Sequence, residues 1–254
     1  LVRSRGLGDV YKRQTLHSVV KDGSIDLSAV GLTKEDIQSI SQIYIVACGS
    51  AWHVGMVAQY VIEDLAKIPV RVELASEFRY RKPLLDKNGL VILISQSGET
   101  ADTLAALREA KNRQVKTLAI VNVVGSSIAR EADNVFYTLA GPEISVATTK
   151  AYSAQLIAVY TLALQFAKER NEIEMSEYEK LIKELDTLPD KIQEVIDNQE
   201  EIQKFAAKQA AAKDVFFIGR GIDYAVSLEG SLKLKEISYI HSEAYALSLI
   251  HISE

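Results

Sequence analysis

Residues 94–104 read ISQSGETADTL, a stretch in which small hydroxyl and amide side chains surround one glycine. An apolar strand predicted at 90–95 delivers Ser95, Gln96, Ser97, Gly98 and Thr100 to the amino end of the next helix. Backbone N–H groups and the helix macrodipole attract an anion there, and hydroxyls add donors without bulk. Because no lysine follows the turn in Walker-loop spacing, a phosphate monoester fits better than a nucleoside triphosphate with magnesium.

A simpler interpretation is open for this single turn, in which Ser97 or Thr100 caps its helix and contributes about 1 kcal/mol. Two further turns favour a ligand. Gly49 and Ser50 stand at a strand-to-helix turn in ACGSAW, and Thr148 precedes a third helix in SVATTK. Ligands of parallel α/β sheets bind at the carboxyl edge, where these turns are expected to converge. A phosphosugar needs this mixture of anion site and short polar donors.

A second candidate is the pair Lys233 and Glu236 in KLKEISYI. Residues three apart on a helix share a face, which allows a cation and a carboxylate to act on one substrate. The same spacing is typical of a solvated salt bridge worth about 0–1 kcal/mol. Spacing alone favours the salt bridge.

These candidates require a regular framework to position them. Apolar strands are predicted at 43–47, 70–74, 90–95, 117–122 and 134–139, and helices at 51–66, 100–113, 126–132 and from about Thr148. Near-continuous apolar strands joined by amphipathic helices indicate a parallel sheet covered on both faces. The sequence therefore predicts an α/β domain with a doubly wound parallel sheet.

Six segments are predicted along the chain. Residues 15–42 form a lead-in, 43–172 the α/β domain, 173–213 a charged helical connector, and 214–246 the truncated start of a second α/β domain. The two ends of the chain do not continue the hydrophobic pattern of their neighbours; they are residues 1–14 (LVRSRGLGDVYKRQ) and 247–254 (LSLIHISE). We interpret them as non-native tails resembling translated adapter sequence, the alternative being unusual genuine termini.

Composition excludes several classes of protein. The 254 residues are 48% hydrophobic and 25% charged, as in ordinary globular proteins. The net charge of −5 and the scattered basic residues argue against nucleic-acid partners. The longest apolar stretch, 154–167, is shorter than the ~20 residues that span a bilayer, so no membrane partner is expected. Cys48 is the only cysteine, which excludes a cysteine metal cluster and favours a reducing cytoplasm. No metal or cofactor is predicted.

Five stretches carry a specific resemblance: ACGSAWHVG, ASEFRYRKP, SQSGETADTL, VATTKAYSAQL and LEGSLKLKEISYIHSEAYA. Together they resemble the isomerase part of the glutamine–fructose-6-phosphate aminotransferase family, across residues 15–246. The serine-rich turn alone would indicate only the wider class of sugar isomerase (SIS) domains. The resemblance implies flavodoxin-like three-layer SIS domains, the first at 43–172 and the second beginning at 214.

The resemblance also implies roles for individual residues. Fructose 6-phosphate would be bound chiefly through its phosphate by Ser50, Ser95, Gln96, Ser97 and Thr100, with Val146 and Thr148 lining the sugar end. Glu236 would move a proton between C1 and C2 of the sugar, and Lys233 would assist near the amino nitrogen. Ala51 and Thr148 stand where many relatives have serine, which alters two hydroxyl contacts.

Other features of the family set further expectations. Its glutaminase domain, ring-opening histidine and Schiff-base lysine do not match residues here, so this chain is expected to bind the phosphosugar with little or no turnover. The full-length parent is expected to be a homodimer. Cys48, at the end of a buried strand, is interpreted as structural. A phosphosugar-sensing SIS domain and another SIS phosphosugar isomerase or deglycase stay open as alternatives.

Overall fold

A short segment packs against the core ahead of the main sheet. The computed structural model describes residues 14–143 and 147–247. This segment contains β1 (Val20–Lys21), β2 (Ser24–Ile25), a 3-10 helix (Ser28–Val30) and α1 (Lys34–Ser39). Thr33 and Asp36 form a capping box, in which each side chain accepts a hydrogen bond from the other residue's backbone N–H. The first turn of α1 is thereby satisfied.

Five parallel strands form the central sheet. They are β3 (Ile43–Ala47), β4 (Val70–Leu74), β5 (Leu90–Ser95), β6 (Lys116–Val121) and β7 (Asn134–Tyr137). Their spatial order is β4-β3-β5-β6-β7, and every neighbouring pair is parallel. Every residue of β3 and β5 is buried, as expected for strands covered on both faces.

Helices cover both faces of this sheet. The connecting helices are α2 (Ser50–Ala66), α3 (Ala75–Phe78), α4 (Ala101–Asn112), α5 (Ser127–Glu131) and α6 (Lys150–Glu169). Alternate strand residues divide between two cores, because successive side chains of a strand point to opposite faces. Ile43 and Ile45 pack with α2 and α6 on one face, whereas Tyr44 and Val46 pack with α3, α4 and α5 on the other. The predicted doubly wound α/β class is confirmed, with three layers.

The strand order fixes where a ligand site is expected. The second strand of the sheet lies on one side of β3 and the third, fourth and fifth lie on the other, which is the flavodoxin-like order. The chain therefore changes direction between β3 and β5. Ligands of such sheets bind in the crevice outside the carboxyl ends of the strands at this switch point.

Beyond the sheet, the chain is helical and then forms a second strand–helix–strand unit. These elements are α7 (Met175–Asp197), α8 (Gln199–Lys208), β8 (Asp214–Gly219), α9 (Ile222–Ser238) and β9 (His241–Ala246). The two helices occupy the predicted connector, although the domain boundaries themselves stay predictions. β9 pairs with β8 in parallel. β9 is not predicted from the sequence, because HSEAYA has little apolar character.

The two strand–helix turns at β3 and β8 share one backbone geometry. Gly49 precedes α2 with φ 57° and ψ −136°, and Gly221 precedes α9 with φ 59° and ψ −128°. Both helices contain 17 residues. These dihedral angles belong to a region that side chains with a β-carbon rarely adopt, so both turns require glycine. The turn geometry supports the similarity of the two units that the sequence pattern indicates.

Some predicted features lie outside the described residues. These include Val146 and nearly all of the two tails, of which only Gln14 and Leu247 are described. Across the described ranges, no helix is long and apolar enough to cross a membrane.

Candidate functional site

The turn between β5 and α4 is held by its own hydroxyl groups. Ser95 Oγ accepts a hydrogen bond from the Gly98 backbone N–H at 3.0 Å and lies 3.0 Å from Thr100 Oγ1. Ser97 Oγ accepts from the Glu99 N–H at 3.2 Å. Thr100 is the N-cap of α4, but its side chain makes no capping hydrogen bond. The structure therefore does not support the simpler role for Thr100, and its hydroxyl faces Ser95 instead.

Gly98 allows this turn to approach the neighbouring loop closely. Its φ is +67°, and a β-carbon built there would lie 2.5 Å from Ser126 Cβ and closer still to Ser126 Oγ. The Ile128 N–H donates to the Gly98 carbonyl at 3.0 Å, and the Ser127 N–H donates to Glu99 Oε1 at 2.7 Å. The segment before α5 therefore fixes the position of the hydroxyl turn.

A cavity of about 210 Å³ opens at the switch point of the sheet. It is lined by Cys48, Ser50, Ala51, Ile94, Ser95, Gln96, Ser97, Thr100, Thr148, Ala151 and Gln155. All six predicted binding residues that the structure describes are therefore brought together, from three different turns. Among the described residues, no charged side chain lines the cavity, so an anion there would face backbone N–H groups, hydroxyls and helix N-termini.

Two lining residues differ from what the sequence analysis anticipated. Thr148 Oγ1 donates to Glu143 Oε2 at 2.9 Å, so its hydroxyl is already engaged. Cys48 is only half-buried and lines the cavity wall, although the sequence analysis interpreted it as a structural thiol in a strand end. Gln155 was not singled out; its position on the buried face of α6 gives no signal in the sequence.

The pair Lys233 and Glu236 lies on α9, outside the cavity lining. Lys233 Nζ is 2.5 Å from Glu236 Oε2. The side chains are 16% and 32% exposed respectively, so this is not the fully solvated salt bridge that spacing favoured. Glu229, one turn earlier, connects the pair to the first domain: its Oε1 lies 3.5 Å from Lys233 Nζ.

Glu229 is a functional candidate that the sequence analysis missed. Its Oε2 lies 2.6 Å from His53 Nδ1, and both residues are buried. Burial alone would raise the pKa of Glu229. The hydrogen bond from His53, the nearby Ser50 hydroxyl and the positive charge of Lys233 outweigh burial and lower the pKa of Glu229. The spacing of four residues between Glu229 and Lys233 could have indicated an ion pair on one helix face. No local pattern could have revealed the contact between His53 and Glu229, which are 176 residues apart.

Tyr152, on α6, stands near the same carboxylate. Burial raises its pKa, and the negative charge of Glu229 raises it further. The Tyr152 hydroxyl is buried and makes no hydrogen bond within the described part of the chain. The phenol therefore stays neutral and contributes a polar group, not a charge, to this region.

A larger cavity of about 660 Å³ lies elsewhere, between α2, α6 and α7. Its walls are mainly leucine and tyrosine, with Asp64 and Glu184 also present. In the described part of the chain, its lining has no small hydroxyl side chain and no strand-to-helix turn, so we assign the candidate site to the smaller cavity. Over residues 14–143 and 147–247, no group of three or more His, Cys, Asp or Glu side chains is arranged to hold a metal ion.

Comparison with known proteins identifies the family. The SIS domain model matches residues 36–165. Glutamine–fructose-6-phosphate aminotransferase [isomerizing] from Caldanaerobacter subterraneus subsp. tengcongensis is 59% identical over 227 residues, which are 89% of this chain and 37% of that protein. The protein of the same name from Clostridium tetani is 59% identical over 237 residues, covering 93% of this chain and 39% of the relative.

A solved structure agrees with these sequence matches. The C-terminal domain of glucosamine-fructose-6-phosphate aminotransferase from Francisella tularensis has a TM-score of 0.92 and 39% identity, covering 96% of this chain and 69% of that one. The chain spans 37–39% of the length of the two curated relatives above. It belongs to the glutamine–fructose-6-phosphate aminotransferase family and contains that family's SIS domain.

Proposed function

We propose that this chain is the isomerase part of an enzyme that makes glucosamine 6-phosphate from fructose 6-phosphate and glutamine, and that the 210 Å³ cavity binds the phosphosugar. The observation that carries this proposal is the convergence of six hydroxyl and amide residues from three turns at the switch point. The reaction is inferred from the names of the relatives, and the cavity is the proposed binding site for its substrate.

The phosphate belongs at the turn between β5 and α4. Gly98 lets the turn pack closely against the Ser126 loop, and Ser97 and Thr100 offer hydroxyl donors at the N-terminus of a 12-residue helix. Because no charged side chain from residues 14–143 or 147–247 lines the cavity, the phosphate is held by dipoles and hydrogen bonds. The sugar hydroxyls then extend towards Ser50 and Thr148, with Val146 assigned to the same end.

The chemical step belongs to α9. Glu236 acts as the general base that takes a proton from C1 of the ketose imine and returns it to C2. The proton of the C1 hydroxyl is transferred to the imine nitrogen, so that the imine becomes an amine and C1 becomes an aldehyde. Lys233, 2.5 Å from Glu236, supports that carboxylate and the developing charge near the nitrogen. Since neither residue lines the cavity, the reacting carbons extend from the phosphate turn towards α9.

The binding experiment uses calorimetry with fructose 6-phosphate and the 254-residue chain. The Ser97→Ala, Thr100→Ala variant removes two hydroxyls from the cavity, and we expect it to weaken binding at least tenfold, since hydrogen bonds to charged groups contribute about 1.5–3 kcal/mol each. The matched control is Ser176→Ala, Thr187→Ala, which removes the same atoms from exposed positions on α7 and should bind as wild type. Absence of binding by folded wild type would overturn the proposal.

Turnover and assembly are tested separately. Because the chain spans 37–39% of the length of the two curated relatives above, we propose that the 254 residues alone bind the sugar with little or no turnover. Isomerisation of fructose 6-phosphate above the rate of a Glu236→Gln variant would contradict this. We also propose a homodimeric full-length protein, which sedimentation of that protein as a monomer would contradict.

A further inference from the structure

One buried ion pair joins the two α/β units and has no role in the proposal above. His53 lies three residues after Ser50, in the first turn of α2, and is 8% exposed. Glu229 lies in the middle of α9 and is 6% exposed. His53 Nδ1 and Glu229 Oε2 are 2.6 Å apart. Because an ionised carboxylate only accepts hydrogen bonds, the proton between them is on Nδ1 of the histidine.

The position of Glu229 determines how two functional groups face each other. One oxygen is fixed by His53, which lies on α2 three residues after Ser50, and Ser50 lines the sugar cavity. The other oxygen faces Lys233 Nζ at 3.5 Å without forming a hydrogen bond. Lys233 in turn contacts Glu236. A series of polar contacts therefore leads from the first turn of α2, beside the cavity, to the proposed proton-transferring carboxylate.

The physical reason for pairing is the cost of burying a charge. Removing an ionised carboxylate from water is strongly unfavourable unless the carboxylate is paired and hydrogen-bonded. Removing one member of a buried ion pair leaves the other charge uncompensated. Lys233 alone does not satisfy Glu229, because its distance is an ion-pair distance with no hydrogen bond. His53 provides the short contact, and it comes from the domain that carries the cavity. The contact therefore specifies one placement of α9 against α2.

We propose that His53 is a positioning residue for the proposed reaction: its Nδ1–H fixes Glu229, and through Glu229 it holds Lys233 and Glu236 at the sugar end of the cavity. The consequence for the reaction rests on the proposed function, whereas the contact between His53 and Glu229 is independent of it. The role is assigned to the N–H group and not to the bulk of the imidazole. Asparagine can present an amide N–H at nearly the position of Nδ1–H, and leucine fills similar space without a donor.

The first measurement does not need a ligand. Hydrogen exchange is followed in the 254-residue chain for wild type, His53→Asn and His53→Leu, comparing amides of α9 with those of β5. We expect His53→Leu to raise exchange in α9 at least tenfold with β5 unchanged, and His53→Asn to match wild type. Equal protection of α9 in all three variants would overturn the proposal. Equal loss in both variants would overturn it as well, because imidazole packing and not the N–H would then be responsible.

The second measurement separates positioning from general structure. Calorimetry compares inorganic phosphate, which needs only the hydroxyl turn, with fructose 6-phosphate, which also reaches α9. We expect His53→Leu to bind phosphate as wild type and fructose 6-phosphate at least fivefold more weakly, with His53→Asn restored. Equal weakening of both ligands would overturn the positioning role. If wild type binds neither ligand, the proposed function fails, and the exchange measurement still decides whether His53 places α9.

Discussion

Replacing Gly98 with alanine tests whether the hydroxyl turn depends on close backbone approach. The native φ of +67° lies in the left-handed region, where a residue with a β-carbon costs about 1–2 kcal/mol. The added carbon would also lie 2.5 Å from Ser126 Cβ, against about 3.5–4.0 Å for an ordinary contact between carbons. Overpacking of this kind costs about 1–3 kcal/mol. The two contributions together predict a destabilisation of about 2–5 kcal/mol.

A matched control lies in the adjacent loop. Gly125 has a φ of +73°, but a β-carbon there meets no atom within 4 Å. Gly125→Ala therefore carries only the conformational cost of about 1–2 kcal/mol. The difference between Gly98→Ala and Gly125→Ala isolates the steric contribution, which we expect to be about 1–3 kcal/mol. The free energies of unfolding are measured by urea denaturation of the 254-residue chain.

A second substitution identifies the atoms responsible. Ser126→Gly removes the β-carbon and hydroxyl that Gly98→Ala would strike, so the double variant should recover most of the steric contribution. Phosphate affinity, measured by calorimetry, should fall in Gly98→Ala and recover in the double variant. If Gly98→Ala costs no more than Gly125→Ala, or if Ser126→Gly recovers nothing, the inferred close approach is wrong.

Two further predictions concern buried hydrogen bonds. Ser95→Ala leaves the Gly98 N–H without its acceptor in a buried turn and should lower the free energy of unfolding, measured by urea denaturation, by about 1–3 kcal/mol. Ser97→Ala, at a more exposed position, should cost less than half as much, and equal costs would contradict this. Burial tends to raise the pKa of Asp133, but hydrogen bonds from Thr117 and Lys111 lower it overall. Its stabilisation is therefore present above the usual aspartate pKa of 3.8 and is lost as pH falls below that value. Asp133→Asn should flatten the stability profile in this acidic range, and an unchanged slope would refute the assignment.

The sequence predicted the main sheet well because its central strands β3 and β5 are buried on both faces. β3 and β5 consist almost entirely of apolar residues, so their type and approximate bounds follow from composition. The switch point then follows from alternation of strands and helices, and the hydroxyl turns after β3 and β5 are predicted to meet. This reasoning located Ser50 and Ser95 in one cavity without any contact information.

What the sequence could not predict are features determined by tertiary contact. β9 is polar and forms a strand only because β8 offers a parallel partner. The contact between His53 and Glu229 joins residues 176 positions apart, and neither has a local pattern that indicates a partner. Likewise, the 16% exposure of the Lys233 side chain depends on the tertiary packing of α9, which periodicity does not determine.

The small parallel sheet of β8 and β9 has a consequence for the colloidal behaviour of the chain. Phe216, Ile218 and Tyr245 on its strands are 56%, 58% and 51% exposed, and both strand edges lack a neighbour within residues 14–143 and 147–247. Open edges with apolar side chains favour pairing between molecules, and a net charge of −5 opposes it only weakly. The chain should therefore show a negative second virial coefficient, which becomes more negative as added salt screens that charge.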